Sequence, residues 1–412
     1  MIYLDYQATT PVAPEVVAAM TPWLADRFAN PHSPSRWGRE ADAAIAIARG
    51  QVAAALFAPP TRVGGVDSPQ AGGGGHVVSS EDKPSPSALR ASSPPASGRD
   101  AKGKLAFTSS ATEALNWAIK GSFERSPRRK LVTIATEHAA VLDTAEWLEG
   151  QGLEVICLPV GSDGLVDLAQ AEAAIDDSTA LVAAMLVNNE IGVIQPVAKL
   201  ARLAKANGAL MLCDAVQGLG RVPIPDGPDL IAVSSHKIHG PKGVGALWMR
   251  DGCEPAPLLH GGGQEQGLRS GTLSPALCVG FGAAANLATE RQEADAQHIE
   301  TLWTIARKTF GPDWQLNGSA DARYHGNLNL RRDGLDAARL LSDCRDIAFS
   351  LGSACASGSG RPSHVLRALG LSDREARSSI RLGFGRYTSE VELMTACEQL
   401  RRTADAQARF AA

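Results

Sequence analysis

Apolar residues follow two rhythms along this chain. Short runs that are apolar nearly throughout, at 104–108, 131–135, 154–159, 180–187, 209–213 and 230–233, read as buried strands. Between them apolar positions recur every three or four residues, which predicts helices at 14–28, 39–57, 114–123, 140–149, 168–175 and 197–206. The helix at 39–57 is the clearest, with Ile45, Ala48, Val52 and Leu56 on one face. Strands apolar on both faces, alternating with helices, predict an α/β fold whose mostly parallel sheet is covered on both sides. Further on, helices at 278–290 and 299–310, strands at 326–330 and 347–350 and a closing helix at 390–404 predict a smaller α+β unit. Residues 59–102 break the rhythm: they are rich in Gly, Ser and Pro and poor in large apolar side chains, so a mobile surface insertion is expected. Their glycine run at 72–75 follows no strand and ends in no Gly-Lys-Ser/Thr, which argues against a nucleotide loop.

At 412 residues the chain is long enough for two or three domains. A hydrophobic share of 44%, a charged share of 20% and a formal charge of −4 give no reason to expect a nucleic-acid or membrane partner. No apolar run reaches the roughly 18 residues of a membrane span. The opening segment from Met1 to Tyr6 has no leader-like composition, so a cytoplasmic location is expected. The 7 cysteines are scattered without close pairs, so neither a disulfide framework nor a metal site is expected. Cys157 and Cys213 sit in strand-like runs and read as core residues, whereas Cys355 lies in a loop of small residues.

The chemistry concentrates at the carboxyl ends of the expected strands, where ligands bind in such sheets. Ser109 to Thr112 join a strand to a helix; they can simply cap that helix, or expose its first N–H groups as a phosphate seat. Further ends carry His138, Asn189, Asp214 and Gln217, and the run 230–233 stops at Ser234, His236 and Lys237, before a turn forced by Gly240, Pro241 and Gly243. Alone, Lys237 reads as a loop lysine reaching for water. Converging with the others, it fits pyridoxal phosphate, which needs a lysine for its aldehyde, a carboxylate for its pyridinium, a phosphate cradle and a flat group against its ring.

Longer stretches carry a resemblance. Tyr3-Leu4-Asp5-Tyr6-Gln7-Ala8-Thr9-Thr10-Pro11, Thr136-Glu137-His138, Asn188-Asn189-Glu190-Ile191-Gly192, Asp214-Ala215-Val216-Gln217, Ser234 to Gly243, His260 to Glu265, Arg269-Ser270-Gly271-Thr272 and Gly352-Ser353-Ala354-Cys355 span nearly the whole chain outside the insertion. In them the sequence resembles the class V aminotransferases, and specifically cysteine desulfurases of the NifS/IscS type. The resemblance implies the pyridoxal-phosphate transferase fold of type I, with an N-terminal arm at 1–14 packing on the small domain, a large domain at 15–260 and a small domain at 261–412. It implies Lys237 as Schiff-base lysine and proton shuttle, and His138 stacked on the ring. Asp214 would face the pyridinium, Asn189 and Gln217 the ring substituents, and Ala111, Thr112, Ser234 and His236 the phosphate. Thr272 would reach a partner subunit's site in a homodimer, and Arg381 would grip the substrate carboxylate bidentately. The implied reaction takes sulfur from L-cysteine onto Cys355 as a persulfide, releases alanine, and passes the sulfur to an acceptor such as an iron-sulfur scaffold. A selenocysteine lyase or transaminase of the same fold, or a cofactor-binding scaffold without turnover, is the alternative. Ser35 and Gln266 depart from the family's usual histidine and arginine, which bears on the substrate entrance.

Overall fold

The computed structural model describes residues 1–59, 102–352 and 362–411. The insertion therefore lies almost wholly outside the described residues, as does Cys355. The chain opens with β1 (Ile2–Tyr3), α1 (Pro14–Leu24) and α2 (Arg36–Leu56). An alternating series follows: β2 (Gly103–Thr108), α3 (Ala111–Arg125), β3 (Lys130–Ile134), α4 (Ala139–Glu149), β4 (Glu154–Leu158), α5 (Leu168–Ala174), β5 (Thr179–Met185), α6 (Val197–Ala206), β6 (Leu210–Asp214), β7 (Leu230–Ser234) and β8 (Gly245–Arg250). After α7 (Pro275–Glu290) and α8 (Gln292–Phe310) come β9 (Gln315–Leu316), β10 (Asn327–Arg331), α9 (Ala337–Asp343), β11 (Ile347–Ala348) and β12 (Ser350–Leu351). The described chain closes with α10 (His364–Ala368), α11 (Asp373–Arg377), β13 (Ser379–Gly383) and α12 (Glu390–Ala411). No helix among the described residues is long and apolar enough to cross a membrane.

Among the described residues the main sheet has 7 strands in the order β2-β8-β7-β6-β5-β3-β4. All run parallel except β8, which is antiparallel to both its neighbours. Side-chain alternation along each strand explains the burial on both sides. In β7, Ile231 and Val233 join the core built by α1, α2, α6 and α7, while Leu230 and Ala232 join the core under α3 and α4. The sequence reading gave no strand at 245–250, yet Gly-Ala-Leu-Trp-Met-Arg is as apolar as its neighbours. Cys157 departs from its expected core position: β4 is the sheet edge, and Cys157 faces solvent there, whereas Cys213 is buried in β6.

A second core gathers Leu4, Leu302, Leu328, Ile380, Leu393 and their neighbours under the antiparallel sheet β12-β13-β10-β9. The boundary expected at 261 does not coincide with the change of core, because α7 packs through Phe281, Ala284 and Ala285 into the first core, and the second core begins with α8. The N-terminal arm spans both. β1 pairs with β11 and Leu4 enters the second core, while Ala13 enters the first.

Candidate active site

A cavity of about 290 Å³ opens at the carboxyl ends of β2, β3, β5, β6 and β7. Ala111, Thr112, His138, Asn189, Asp214, Gln217, Ser234, His236, Lys237 and Arg381 all line it. Lys237 is delivered by β7 through a short 3-10 turn, Ser235–Lys237. The backbone then passes through His239 at φ 66, a conformation that non-glycine residues adopt only under constraint. That constraint is visible: the His239 amide donates to Thr10 Oγ1 at 2.7 Å, and its ring Nδ1 lies 3.0 Å from the Pro11 carbonyl oxygen. The arm also receives the lysine itself, because Lys237 Nζ donates to the carbonyl oxygens of Gln7 (2.5 Å) and Ala8 (2.7 Å).

Opposite, α3 starts at the cavity edge. Ser110 is its N-cap and accepts from the Glu113 amide at 3.3 Å, so the capping reading of this junction holds. The same geometry turns the first turn of a 15-residue helix, at Ala111 and Thr112, toward the cavity. Glu113 is drawn back by Arg269, whose Nε donates at 2.7 Å in a pair with both side chains largely buried. Burial works against the ionised Glu113 carboxyl, but the bonds from Arg269 and the Ser109 amide outweigh it and lower its pKa. Behind the junction, a Cβ on Gly245 would stand 2.5 Å from the Ser110 carbonyl carbon, so β8 can pass there only as glycine.

The wall between these two ends is electrostatically loaded. Asp214 accepts from the Val216 amide at 2.9 Å, and burial raises its pKa despite that bond and the nearby His138 and Lys237. His138 caps α4, its Nδ1 accepting from the Ala140 amide at 3.0 Å, which leaves the proton of the neutral ring on Nε2. Its pKa is lowered by burial first, with Asp214 opposing and Lys237 adding to the shift. His236 is held down to about 4, again by burial first and then by Lys237. A cation set against the Asp214 carboxylate would offset the burial that raises its pKa.

Arg381 enters from β13 of the second sheet and is only 1% exposed. Its Nη2 donates to Asp5 Oδ1 at 2.7 Å and to Ser350 Oγ at 3.0 Å, and Nη1 donates to the Asn189 carbonyl oxygen at 3.1 Å. Both Nη2 hydrogens are therefore committed, so a bidentate grip that draws on Nη2 is not open in this arrangement. Ser35 has a local role as the N-cap of α2, and Gln266 takes a left-handed turn conformation at φ 58.

The family model described as Aminotransferase class-V matches residues 98–395. The chain belongs to this family. A curated relative, "Cysteine desulfurase IscS" of Rickettsia bellii (strain OSU 85-389), is 40% identical over 403 residues, covering 95% of this chain and 88% of the relative. Among solved structures, the NifS-like protein from Rickettsia africae ESF-5 matches with a TM-score of 0.80 at 27% identity, covering 98% of this chain and 99% of the other. The structure described as "SspA in complex with cysteine" matches with a TM-score of 0.74 at 32% identity, over 94% of this chain and 100% of the other.

In this class V aminotransferase chain, Thr272 is exposed and does not line the cavity formed by its own chain. Cys355 belongs to a segment outside the described residues. Several residues at the site carried no assigned role in the sequence reading. The carbonyls of Gln7 and Ala8 act through main chain, which no side-chain pattern reveals. Glu137 is fully buried, accepts from the Met185 amide at 2.6 Å, and is raised well above the ordinary carboxyl range by burial and by Asp214. Asp5 and Arg221 bond to predicted site residues from outside the expected strand ends.

Proposed function

We propose that this chain is a pyridoxal-phosphate-dependent cysteine desulfurase that converts L-cysteine to L-alanine and retains the sulfur as a persulfide on Cys355. The observation that carries the reading is one cavity shared by Lys237, the buried Asp214, the ring of His138 and the N-terminus of α3, with Arg381 reaching in from the other sheet. The residues fit the cofactor: Asp214 gains from a ring N–H cation, His138 offers a flat face, and Thr112 at the start of α3 shares the cavity with Ser234 and His236. Asn189 and Gln217 would face the ring substituents. When bound, pyridoxal phosphate supplies an electron sink that makes the substrate's alpha proton acidic and its carbon–sulfur bond labile.

The protein's own groups do the positioning. Lys237 Nζ is held by the Gln7 and Ala8 carbonyls, which accept from its protonated form and so mark where a transferred proton rests. Arg381 orients the substrate carboxylate by charge and by the N–H groups that Asp5, Ser350 and Asn189 leave over. Cys355 takes the sulfur: its thiolate bonds to the substrate sulfur, the carbon–sulfur bond breaks, and the carbon skeleton leaves as alanine after gaining a proton. That SspA is described in complex with cysteine supports the substrate class. The acceptor of the persulfide sulfur is read as a protein thiol such as that of an iron-sulfur scaffold, and the active form as a cytoplasmic homodimer in which Thr272 serves the partner's site. Purified protein loaded with the cofactor, given L-cysteine and a thiol reductant, should release alanine and sulfide in equal amounts. Absence of alanine, or undiminished sulfide release by Cys355→Ser, overturns the reading.

A further inference from the structure

Lys237 also lines a second cavity, of about 180 Å³, bounded by Arg221, Arg323, Arg386, Tyr324 and Ala296 among others. A water needs about 10–15 Å³ of such space, so there is room for a small organic or inorganic ion. The charges around it are unbalanced. Arg386 is neutralised by Asp295, to which it donates at 2.6 and 2.8 Å, and Glu300 lies 2.8 Å from His325. Among the described residues Arg221 and Arg323 have no such partner. Arg221 donates to the Gln217 side-chain oxygen and, at 2.6 Å, to the Lys237 carbonyl oxygen. Arg323 donates to the carbonyls of Ser319 (2.8 Å), Asn317 and Ile191, and its Nε is buried with no acceptor. All of these acceptors are neutral, and among the described residues neither guanidinium forms an ion pair. Burial lowers the pKa of both, that of Arg323 to about 9. A buried and a half-buried cation with no ion-pair partner are costly, and an anion in the cavity would offset both at once.

We propose that this second cavity is a binding site for a small oxyanion, a carboxylate or a phosphate, seated on Arg221 and Arg323. Arg221 also links the cavity to the first one. Its other N–H groups hold Gln217 and the Lys237 backbone, and Gln217 Nε2 donates to the same Gln7 carbonyl that receives Lys237 Nζ. An anion that draws on Arg221 therefore bears on the position of the lysine.

The site does not depend on the activity proposed above, and calorimetry reads it without turnover. Protein loaded with pyridoxal phosphate, so that the seat at α3 is filled, is titrated separately with inorganic phosphate and with acetate; the tighter of the two names the class. Arg221→Gln should weaken that anion at least about tenfold by removing its charge-assisted bonds. Ala296→Glu, which sets a carboxylate in the cavity, should do the same, while the uncharged Ala296→Gln should bind within about threefold of the parent. Ala296→Glu decides the matter even where Arg221→Gln fails to fold, and binding at the α3 seat would ignore it. Absence of saturable binding by either anion, a loss below about tenfold in a folded charge variant, or an equal loss in Ala296→Gln overturns the proposal.

Discussion

The pairing of Arg381 with Asp5 makes a prediction of opposite signs for stability and for ligand binding. Asp5→Asn keeps an oxygen for Arg381 Nη2 but removes the only carboxylate bonded to it among the described residues, at 2.7 Å with the side chains 1% and 18% exposed. A hydrogen bond to a charged group contributes about 1.5–3 kcal/mol, so the folded state should lose roughly that much, less what the amide oxygen recovers. The substrate carboxylate, on the proposed role of Arg381, has the reverse experience. Two carboxylates about 5 Å apart across a guanidinium repel by about 3 kcal/mol at an effective dielectric constant of about 20. Removing one should tighten carboxylate binding by about tenfold or more, since about 1.4 kcal/mol corresponds to each tenfold. Urea unfolding measures the first effect, and calorimetric titration with L-alanine, which carries the carboxylate but no sulfur, measures the second. A variant that is destabilised and also binds L-alanine more weakly than the parent would refute the idea that Asp5 competes with substrate for Arg381.

Other expectations follow from the same geometry. Lys237→Ala should fold with unchanged stability to within about 1 kcal/mol but lose the visible absorbance of the loaded protein, and retained absorbance removes the lysine from its role. Gly245→Ala forces a Cβ against the Ser110 backbone at 2.5 Å and should weaken cofactor binding at least about tenfold in equilibrium dialysis; unchanged affinity means the α3 start is not the phosphate seat. The largely buried Glu113–Arg269 pair should show a coupling of about 1–3 kcal/mol in a double-mutant cycle on urea stability, and additive losses would contradict the tie seen between α3 and the Thr272 loop. Glu137, an acid whose folded pKa is raised from its ordinary 4.5, adds stability that is complete below that value and is lost as pH climbs toward the folded pKa. Glu137→Gln should therefore gain on the parent as pH rises from about 4 to about 8, and a pH-independent difference would argue that Glu137 is ionised in the fold.

Much of this arrangement was legible in the sequence, because parallel strands buried on both faces leave uniform apolar runs and put their polar residues at their ends. His138, Asn189, Asp214, Gln217 and Lys237 stand out for that reason alone. β8 has an apolar run as plain as its neighbours', but its direction within the sheet, antiparallel between β2 and β7, depends on long-range pairing that no run encodes. β13 escaped the reading: Ser-Ile-Arg-Leu-Gly places a charge at its centre, and only the pairing with Asp5, Ser350 and Asn189 makes burial of Arg381 tolerable. Glu137 could have been noticed as a carboxyl directly after an apolar strand, but its raised pKa follows from burial and from contacts with β5 and β6 that have no local signature.

The N-terminal arm is where these hidden contacts meet. Leu4 is locked in the second core and Asp5 holds Arg381, while two residues later the carbonyls of Gln7 and Ala8 hold Lys237 and Thr10 clamps the turn beyond it. Asp5 and Gln7 are too close in sequence to move independently, since three consecutive residues span at most about 10 Å. Arg381 and Lys237 are thus tied to one short segment, although their own elements belong to different sheets. A shift of β13 against the main sheet would carry the arm with it and change the hydrogen bonding of Lys237. A substitution that frees the arm, such as Leu4→Ala with its large-to-small loss of about 2–5 kcal/mol in the second core, should therefore disturb cofactor absorbance at Lys237 before the protein unfolds. Absorbance and unfolding that change together along a urea titration would show instead that the arm transmits nothing locally.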